Sequence, residues 1–369
     1  MPSIDRSRPA TFRLLGLATL LSPVVATVLF ESVVLGECLM ERTSSDSAAS
    51  FVRHLGKDCS EQERAAQAVT AGELLTALKD GKGIDVAGVV VMGDLMLDGL
   101  PLVAASTLDI PSPRIRDAIL KSNVKKVRVI AGPISIRNSV MRGGLATKLK
   151  DGLLLAKGPV TMSGTTFERA VDFSRTAFLG PVDFTEAILL QEGFFIEGLF
   201  DQAARFERTA FGVHSRFHKA VFGDTVTFHR AGFNGLAEFI QVLFEKDARF
   251  SQVYFKMGTG FSGSVFRGNL DFSEAVFDRA AFFMFTVFEG DAYFRRTTFR
   301  AEANFTDAQF NGVDDFSKAF FTLEPRFTRT KVSRARPSPG GLQDPRFLYG
   351  IAAALLIFTV VFVLFLRQR

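Results

Sequence analysis

Large hydrophobic residues recur along the middle of the chain at intervals that alternate between six and five residues. Phenylalanine occupies 29 of the 30 positions of this lattice between Phe167 and Phe327, and Leu189 occupies the remaining one. A small or β-branched residue stands two positions before nearly every lattice residue, and polar residues fill the positions between. Because side chains two apart on an extended chain point the same way, the pattern predicts short strands that turn one bulky and one slim residue inward. The exceptions at the slim position are Leu270, Asp314 and Pro325.

The two spacings together make an eleven-residue repeat, and a fixed short period is typical of solenoids, whose units stack on one another. Eleven residues is also the period of a right-handed helical supercoil. Composition argues against the helical alternative, because Phe, Thr, Val and Gly are poor helix formers. Glycine also recurs at unit ends, as at Gly180, Gly212 and Gly290. The pattern therefore favours a β-solenoid.

Short runs within the lattice resemble the pentapeptide-repeat family. Ala303, Asn304 and Phe305 match the family motif A-(D/N)-(L/F)-X-X, and residues 171–173 and 270–272 nearly match it. The resemblance implies an all-β fold, a right-handed quadrilateral β-helix with one motif on each side. The sixth residue of every second unit departs from a strict pentapeptide and bears on the geometry of the corners.

Four such sides make a coil of two eleven-residue repeats, so the lattice supplies about seven coils of a repeat array. Residues one coil apart are then expected to stack, which places Phe233, Phe255 and Phe277 in one column. Each buried ring would contribute about 1.5–3 kcal/mol through the apolar surface it removes from water. The expected product is a stiff solenoid.

A less regular region precedes the lattice. Thr70 and Glu73 have the spacing of a capping box, which predicts the start of a short helix, and Gly81 is placed to end it. Short apolar runs separated by turn residues follow. We interpret residues 67–161 as a cap helix and irregular first coils of the β-helix, because repeat arrays need caps.

The whole chain divides into six predicted segments. They are 1–37, a signal peptide or N-terminal membrane anchor; 38–66, a linker; 67–161, the cap helix and irregular coils; 162–328, the repeat β-helix; 329–346, a basic Pro/Gly tether; and 347–369, a transmembrane helix with a short tail.

Two apolar segments predict a membrane setting. Residues 347–366 carry no charge, and as a helix this segment matches a hydrocarbon core of about 30 Å. Residues 14–30 are also apolar, and both a signal peptide and a second anchor are consistent with them. Cys38 resembles the cysteine of a lipoprotein cleavage box, but Glu37 directly before it argues against lipidation.

The two apolar segments disagree about orientation. Three arginines before the first segment place its N-terminus inside and the repeats outside, whereas a basic flank before the last segment predicts the reverse. The first segment usually dominates, and Cys38 and Cys59, the only cysteines, suit a disulfide in an oxidising compartment. Two unpaired thiols in a linker are the alternative. We therefore expect a membrane protein whose repeat domain is extracytoplasmic.

The net charge of +5 would suit nucleic acid, but its distribution does not. Between Glu168 and Glu324 there are 16 Lys and Arg against 22 Asp and Glu, a net charge of −6, so the basic excess lies outside the repeats. Family members that mimic DNA need a strongly acidic face, which this mixed surface lacks. We predict no nucleic-acid partner.

The sequence contains no recognisable catalytic or metal-binding pattern. His214 and His218 have a spacing that would bring them together on a helix, while His218 and His229 are one repeat apart and fall on opposite sides of the predicted coil. We therefore interpret these histidines as single exposed residues. Asp314 and Asp315 point to opposite faces of an extended chain and suit no acid–base pair. We expect no enzymatic activity, and no catalytic residue, cofactor, metal ion or small-molecule substrate.

These observations indicate a membrane-anchored, non-enzymatic scaffold that presents a rigid surface to another protein. The alternative is an accessory or regulatory subunit of a membrane transporter or channel. Gly350 and the alanines at 352–354 suit helix packing, but no charged residue in the last segment marks a conduction path. The expected partners are the lipid bilayer and a protein that the sequence does not identify.

Overall fold

The computed structural model describes residues 38, 49–121, 123–147 and 152–333. The predicted N-terminal signal or anchor, most of the tether and the predicted transmembrane helix lie outside the described residues. Within the described part of the chain, no helix is long and apolar enough to cross a bilayer.

The predicted β-helix is confirmed, with about 12 turns and four sheets. Its winding is right-handed, as connections between parallel strands nearly always are. A regular coil visits the sheets, numbered I to IV, in turn: Val182–Asp183, Ile188–Leu189, Gly193–Phe194 and Leu199–Phe200 precede the return to sheet I at Ala204–Arg205. Strands one coil apart pair in register throughout the lattice, as Val182 does with Ala204, which confirms the predicted coil length.

All strands are short, two to five residues long. Sheet I contains Ser50–His54, Gly83–Ala87, Ile134–Arg137, Val160–Thr161, Val182–Asp183, Ala204–Arg205, Val226–Thr227, Ala248–Arg249, Leu270–Asp271, Ala292–Tyr293 and Asp314–Asp315. Sheet II contains Val69–Thr70, Val90–Met92, Val140–Met141, Thr166–Phe167, Ile188–Leu189, Ala210–Phe211, Gly232–Phe233, Tyr254–Phe255, Val276–Phe277, Thr298–Phe299 and Phe320–Phe321. Sheet III contains Leu95–Met96, Leu145–Ala146, Val171–Asp172, Gly193–Phe194, His214–Arg216, Leu236–Glu238, Thr259–Gly260, Ala281–Phe282 and Ala303–Asn304. Sheet IV contains Leu102–Ala104, Lys126–Ile130, Leu153–Ala156, Thr176–Phe178, Leu199–Phe200, Val221–Phe222, Leu243–Phe244, Val265–Phe266, Val287–Phe288, Gln309–Phe310 and Lys331–Val332.

The lattice phenylalanines fill the interior as four columns of stacked rings. Phe233, Phe255 and Phe277 form one column as predicted, with successive ring centroids 4.9 Å apart and nearly parallel planes. Neighbouring columns meet edge to face: the rings of Phe217 and Phe228 lie 5.5 Å apart at 89°. Both geometries suit the aromatic quadrupole, so each ring is held by stacked and edge contacts at once.

Two kinds of corner produce the alternating spacing. After sheets I and III the lattice residue opens a four-residue turn: the amide of Ala187 donates to the carbonyl oxygen of Phe184 (2.9 Å), and Glu186 has φ 59°. Across the corners after sheets II and IV, successive lattice residues are six positions apart instead of five, as from Leu189 to Phe195, and glycines there let successive coils approach closely. A Cβ on Gly312 would lie 2.5 Å from the carbonyl oxygen of Gly290. The sixth residue of every second unit therefore belongs to these longer corners.

The described residues before the lattice include three α-helices: α1, Glu61–Ala66; α2, Ala71–Lys79; and α3, Pro113–Lys121. Short 3₁₀ helices occupy Leu97–Gly99 and Ala105–Thr107.

Helix α2 is the predicted cap. Thr70 and Glu73 make both hydrogen bonds of the capping box, and Gly81 beyond the helix end has φ 75°. Leu74 and Leu78 of α2 are buried against the first coils, so the helix closes the N-terminal end of the hydrophobic core.

The described residues of the predicted linker 38–66 form regular structure and contribute to the solenoid. Strand Ser50–His54 is the first strand of sheet I and pairs with Gly83–Ala87, and α1 follows it. Cys38 is joined to Cys59 by a disulfide with Cα atoms 4.7 Å apart, and Cys59 is buried in the core. Sequence reasoning missed this strand because it lies before the lattice begins and carries no lattice residue.

An insertion between the sheet IV strands Leu102–Ala104 and Lys126–Ile130 carries α3 to the outside of the solenoid. Leu102–Ala104 runs antiparallel to Lys126–Ile130 at the edge of sheet IV. Ile115 and Ile119 of α3 are buried against the outward face of the same sheet.

Candidate functional site

The corner between sheets II and III carries an exposed apolar surface. Six large hydrophobic side chains on four consecutive coils are each 37–56% exposed there. At about 4.8 Å per coil this surface extends for about 15 Å along the solenoid. We call these residues the apolar corner: Ile188, Leu190, Val213, Leu236, Tyr254 and Met257.

The backbone of sheet II explains the shape of the apolar corner. Its outward positions pass from Ile188 through Ala210 and Gly232 to Tyr254, so two slim residues lie between two bulky ones. A Cβ built on Gly232 would meet no atom within 4 Å, which leaves a shallow depression between the two side chains. The Tyr254 hydroxyl donates to Asp278 on the next coil, and this contact restrains the ring at one end of the depression.

A polar cluster on sheet III borders the apolar corner. Glu238 Oε2 lies 2.7 Å from His214 Nε2 and 2.9 Å from Arg216 Nε. His218 Nε2 lies 3.7 Å from the same oxygen. We call these four residues the Glu238 cluster. Since Leu236 and Glu238 share one strand, the apolar and polar groups are parts of one surface.

Burial and hydrogen bonding set the ionisation of the Glu238 cluster. Burial acts to raise the pKa of Glu238, but the hydrogen bonds from His214 and Arg216 outweigh it and hold the pKa below its ordinary value. Burial lowers the pKa of His218, and the negative charge of Glu238 only partly offsets that effect. At neutral pH the cluster therefore presents a carboxylate held by a guanidinium, with a neutral imidazole at His218.

Phe194 extends the cluster toward the preceding coil. The Arg216 guanidinium lies over its ring, 5.7 Å from the centroid, and the His214 ring meets its edge at 6.3 Å. The whole surface thus has an apolar centre with aromatic, Arg and carboxylate groups at its border. This arrangement is typical of protein–protein interfaces.

The interpretation of the histidines as single exposed residues is wrong, since all three are half-buried. His214 and His218 both lie beside Glu238 Oε2, while His229 contacts Ser251 Oγ (2.8 Å) elsewhere on the solenoid. Glu238 was missed because it lies on the coil after that of His214, far along the sequence. The signal that could have identified Glu238 is its separation from the histidines, which is within two residues of one coil length. Residues separated in this way lie close together on adjacent coils.

Other charged side chains form ladders along the corners. Glu186 and Arg208, one coil apart, are joined at 2.7 Å, and Arg267 lies 2.9 Å from Glu245 on the preceding coil. These exposed pairs are screened by solvent and contribute little to stability. In the described ranges, no group of three or more His, Cys, Asp or Glu side chains could hold a metal ion.

The two aspartates singled out near the C-terminal end occupy opposite faces. Asp314 is buried at an inward position, and Asp315 faces outward and pairs with Arg295. The arrangement does not bring the two carboxylates together on one face.

Comparison with known proteins supports the repeat character of the chain. Residues 272–319 match the family model described as pentapeptide repeats (9 copies). No match was found among curated proteins or among solved structures. The matched residues follow the apolar corner in the sequence, so the candidate surface lies outside the part of the chain that resembles the family model.

Proposed function

We propose that this chain is a membrane-anchored, non-enzymatic scaffold that binds another protein through the apolar corner. The observation that supports the proposal is the concentration of six exposed hydrophobic side chains on four consecutive coils. Scattered apolar residues are normal on protein surfaces, but a contiguous patch bordered by polar groups marks an interaction site.

The β-helix suits this role because it holds the surface rigid. Backbone ladders and stacked rings fix the spacing of Leu236 and Tyr254 before any partner arrives. A preorganised surface loses little conformational entropy on binding, so more of the contact energy appears as affinity. The Glu238 cluster would set the orientation of the partner, since a wrongly placed charge beside it is unfavourable.

Membrane anchoring rests on the uncharged residues 347–366, which are long enough to span a bilayer as a helix. The disulfide between Cys38 and Cys59 supports an extracytoplasmic solenoid, because such bonds persist in oxidising compartments. A basic flank before the last apolar segment argues for the opposite orientation.

Cross-linking in intact cells tests the proposed surface. Leu236→Glu places a charge at the centre of the apolar corner and should abolish the protein cross-links that the wild type forms. Leu323→Glu is the matched control, because Leu323 is 54% exposed near the other end of the described solenoid. Equal loss of cross-links in both variants, or in neither, would contradict the proposed site.

The orientation is tested separately. Thiol labelling of denatured, unreduced protein should find Cys38 and Cys59 blocked, and protease added outside should cleave the tether near residues 337–341. Free thiols together with a protected tether would place the solenoid in the cytoplasm.

A further inference from the structure

A second apolar surface runs along the outward face of sheet IV. Each coil contributes one aliphatic side chain, and successive ones pair across adjacent strands. We call this set the aliphatic stripe: Leu155, Ala177, Leu199, Val221, Leu243, Val265 and Val287.

Helix α3 covers only the first part of the aliphatic stripe. Leu155 and Ala177 are buried beneath Ile115 and Ile119, and Leu199 packs at the edge of the same cluster. The side chains from Val221 to Val287 are only half-buried, and no helix among the described residues lies over them. The uncovered part therefore continues an interface that the chain itself already uses for a helix.

Polar contacts show how a helix is held on this face. Arg114 of α3 lies 3.0 Å from Asp201 and donates to the carbonyl oxygen of Gly223 (3.3 Å). The coil is shaped for this contact, since a Cβ on Gly223 would lie 1.7 Å from the guanidinium. Ser112 donates to the same Asp201 carboxylate (2.6 Å). A basic residue on the helix thus meets an acidic residue at the edge of the stripe.

The edge beside the uncovered stripe remains acidic. The corner from sheet IV to sheet I holds five acidic and two basic residues between positions 224 and 291. They are Asp224, Glu245, Asp247, Glu289 and Asp291, with Lys246 and Arg267.

The opposite edge of the stripe differs. It carries Lys219 and Gln241, and then Phe285, whose ring is 62% exposed beside Val287. Helix α3 has three basic side chains and one acidic one, so its charge complements the acidic edge, and the aromatic ring supplies an apolar anchor at the far end.

We propose that the uncovered aliphatic stripe binds a basic amphipathic helix of a partner protein in the manner in which α3 binds its first part. Branched aliphatic residues four apart on the partner would occupy the places that Ile115 and Ile119 hold on α3. The four coils from Val221 to Val287 extend about 15 Å, which a helix of about ten residues spans. This inference concerns a different face from the apolar corner and stands independently of it.

The probe is a peptide with the sequence of residues 109–124, closed as a helix by a lactam between Asp117 and Lys121, both of which are exposed on α3. The chain's own α3 is tethered at high effective concentration and is not displaced by dilute peptide. Saturable binding to the purified full chain, followed by fluorescence anisotropy, therefore reports the uncovered stripe. A peptide carrying Ile115→Asp and Ile119→Asp should not bind.

Two valine variants localise the binding. Val265→Glu should weaken binding at least about tenfold. Val276→Glu should leave it unchanged, because Val276 is an equally half-buried outward valine on sheet II of the next coil. Equal binding by the wild type and Val265→Glu would overturn the proposal.

Two further outcomes would also overturn it. A chain ending at Ser333 that binds the peptide when the full chain does not would show that the protein's own C-terminal residues occupy the stripe. Conversion of a self-associating wild type to a monomer by Val265→Glu, without peptide binding to either protein, would show that a second copy does.

Discussion

The Phe lattice and the region before it build the same four sheets with different interiors. In the lattice, one ring per side stacks on the ring of the next coil, as with Phe211 and Phe233 at 4.5 Å. In residues 49–161 the interior consists of aliphatic side chains such as Ile84, Ile134 and Leu154. The strands there are longer, up to five residues, and an insertion interrupts the winding. Ring stacking therefore accompanies strict periodicity, while an aliphatic interior tolerates irregular coils.

The two regions are also stabilised differently. Each lattice coil repeats the same contacts with its neighbours, so stability grows by nearest-neighbour interfaces. The N-terminal coils instead depend on single features: the cap helix α2, the Cys38–Cys59 disulfide and the strand Ser50–His54 that the disulfide holds close. A change in one of these features should act locally, whereas a change in the lattice interior should interrupt the whole stack.

The largest loss of stability is expected from a charge placed in the interior of the Phe lattice. Phe239 is fully buried between Phe217 and Phe261, stacked at 4.7 and 4.8 Å, so Phe239→Asp should lower the free energy of unfolding by at least about 4 kcal/mol. Arg249→Ala, at an exposed outward position, should change it by less than about 0.5 kcal/mol. Denaturant titration of both variants measures the difference, and similar midpoints would refute the assignment of inward and outward positions.

The regular part of the fold was predictable because the spacing of residues along the sequence alone determines which residues stack on adjacent coils. Once the coil of two repeats is recognised, the column of Phe233, Phe255 and Phe277 follows from spacing alone. The cap helix was predictable for a local reason, since Thr70 and Glu73 are three residues apart.

The remaining features depend on contacts that spacing does not encode. The location of α3 on sheet IV rests on the meeting of Arg114 and Asp201, which are distant in sequence. The exposure of the apolar corner depends on the backbone path of the turns between sheets II and III. A hydrophobic residue such as Val213 would be assigned to the interior from its type alone, yet its position in this turn exposes it to solvent. The Glu238 cluster joins residues of adjacent coils that no local motif connects.

A smaller and local effect is expected from removing the disulfide. Replacing Cys38 and Cys59 with serine opens a loop whose closure is worth about 3 kcal/mol in the chain-entropy account. The loss should fall on the first coil, because the loop contains strand Ser50–His54. Hydrogen exchange should accelerate in that strand and stay slow at Val265–Phe266. Equal acceleration in both places would mean that the two regions unfold as one unit.

The N-terminal capping box of α2 should contribute less to the stability of the first coils than the disulfide does. Thr70→Ala removes the side chain that accepts from the Glu73 amide and should cost about 1 kcal/mol. Ser60→Ala makes the same change at α1, which buries no residue, so its effect on the stability of the first coils should be smaller. Thermal unfolding of the two variants gives the comparison, and an equal effect would show that α2 does not act as the cap of the core.

The smallest effect on stability is expected in the Glu238 cluster, where a half-buried carboxylate interrupts the repeating surface of the lattice. The pKa of Glu238 is lower in the folded than in the unfolded chain, so its contribution is fully present above the unfolded pKa of about 4.5 and is lost as the pH falls through the folded value. Glu238→Gln should therefore be less stable than the wild type at pH 7, by no more than about 1 kcal/mol, and the difference should shrink below about pH 4.5. Glu274→Gln is the control, because Glu274 pairs with Arg296 on an exposed ladder, and high salt should remove the effect of this substitution on stability.

Denaturant titrations at several pH values, at low and high salt, measure the effects of both substitutions. A Glu238→Gln effect that grows as the pH falls below about 4.5 would mean that the carboxylate is not held by His214 and Arg216 in the folded protein.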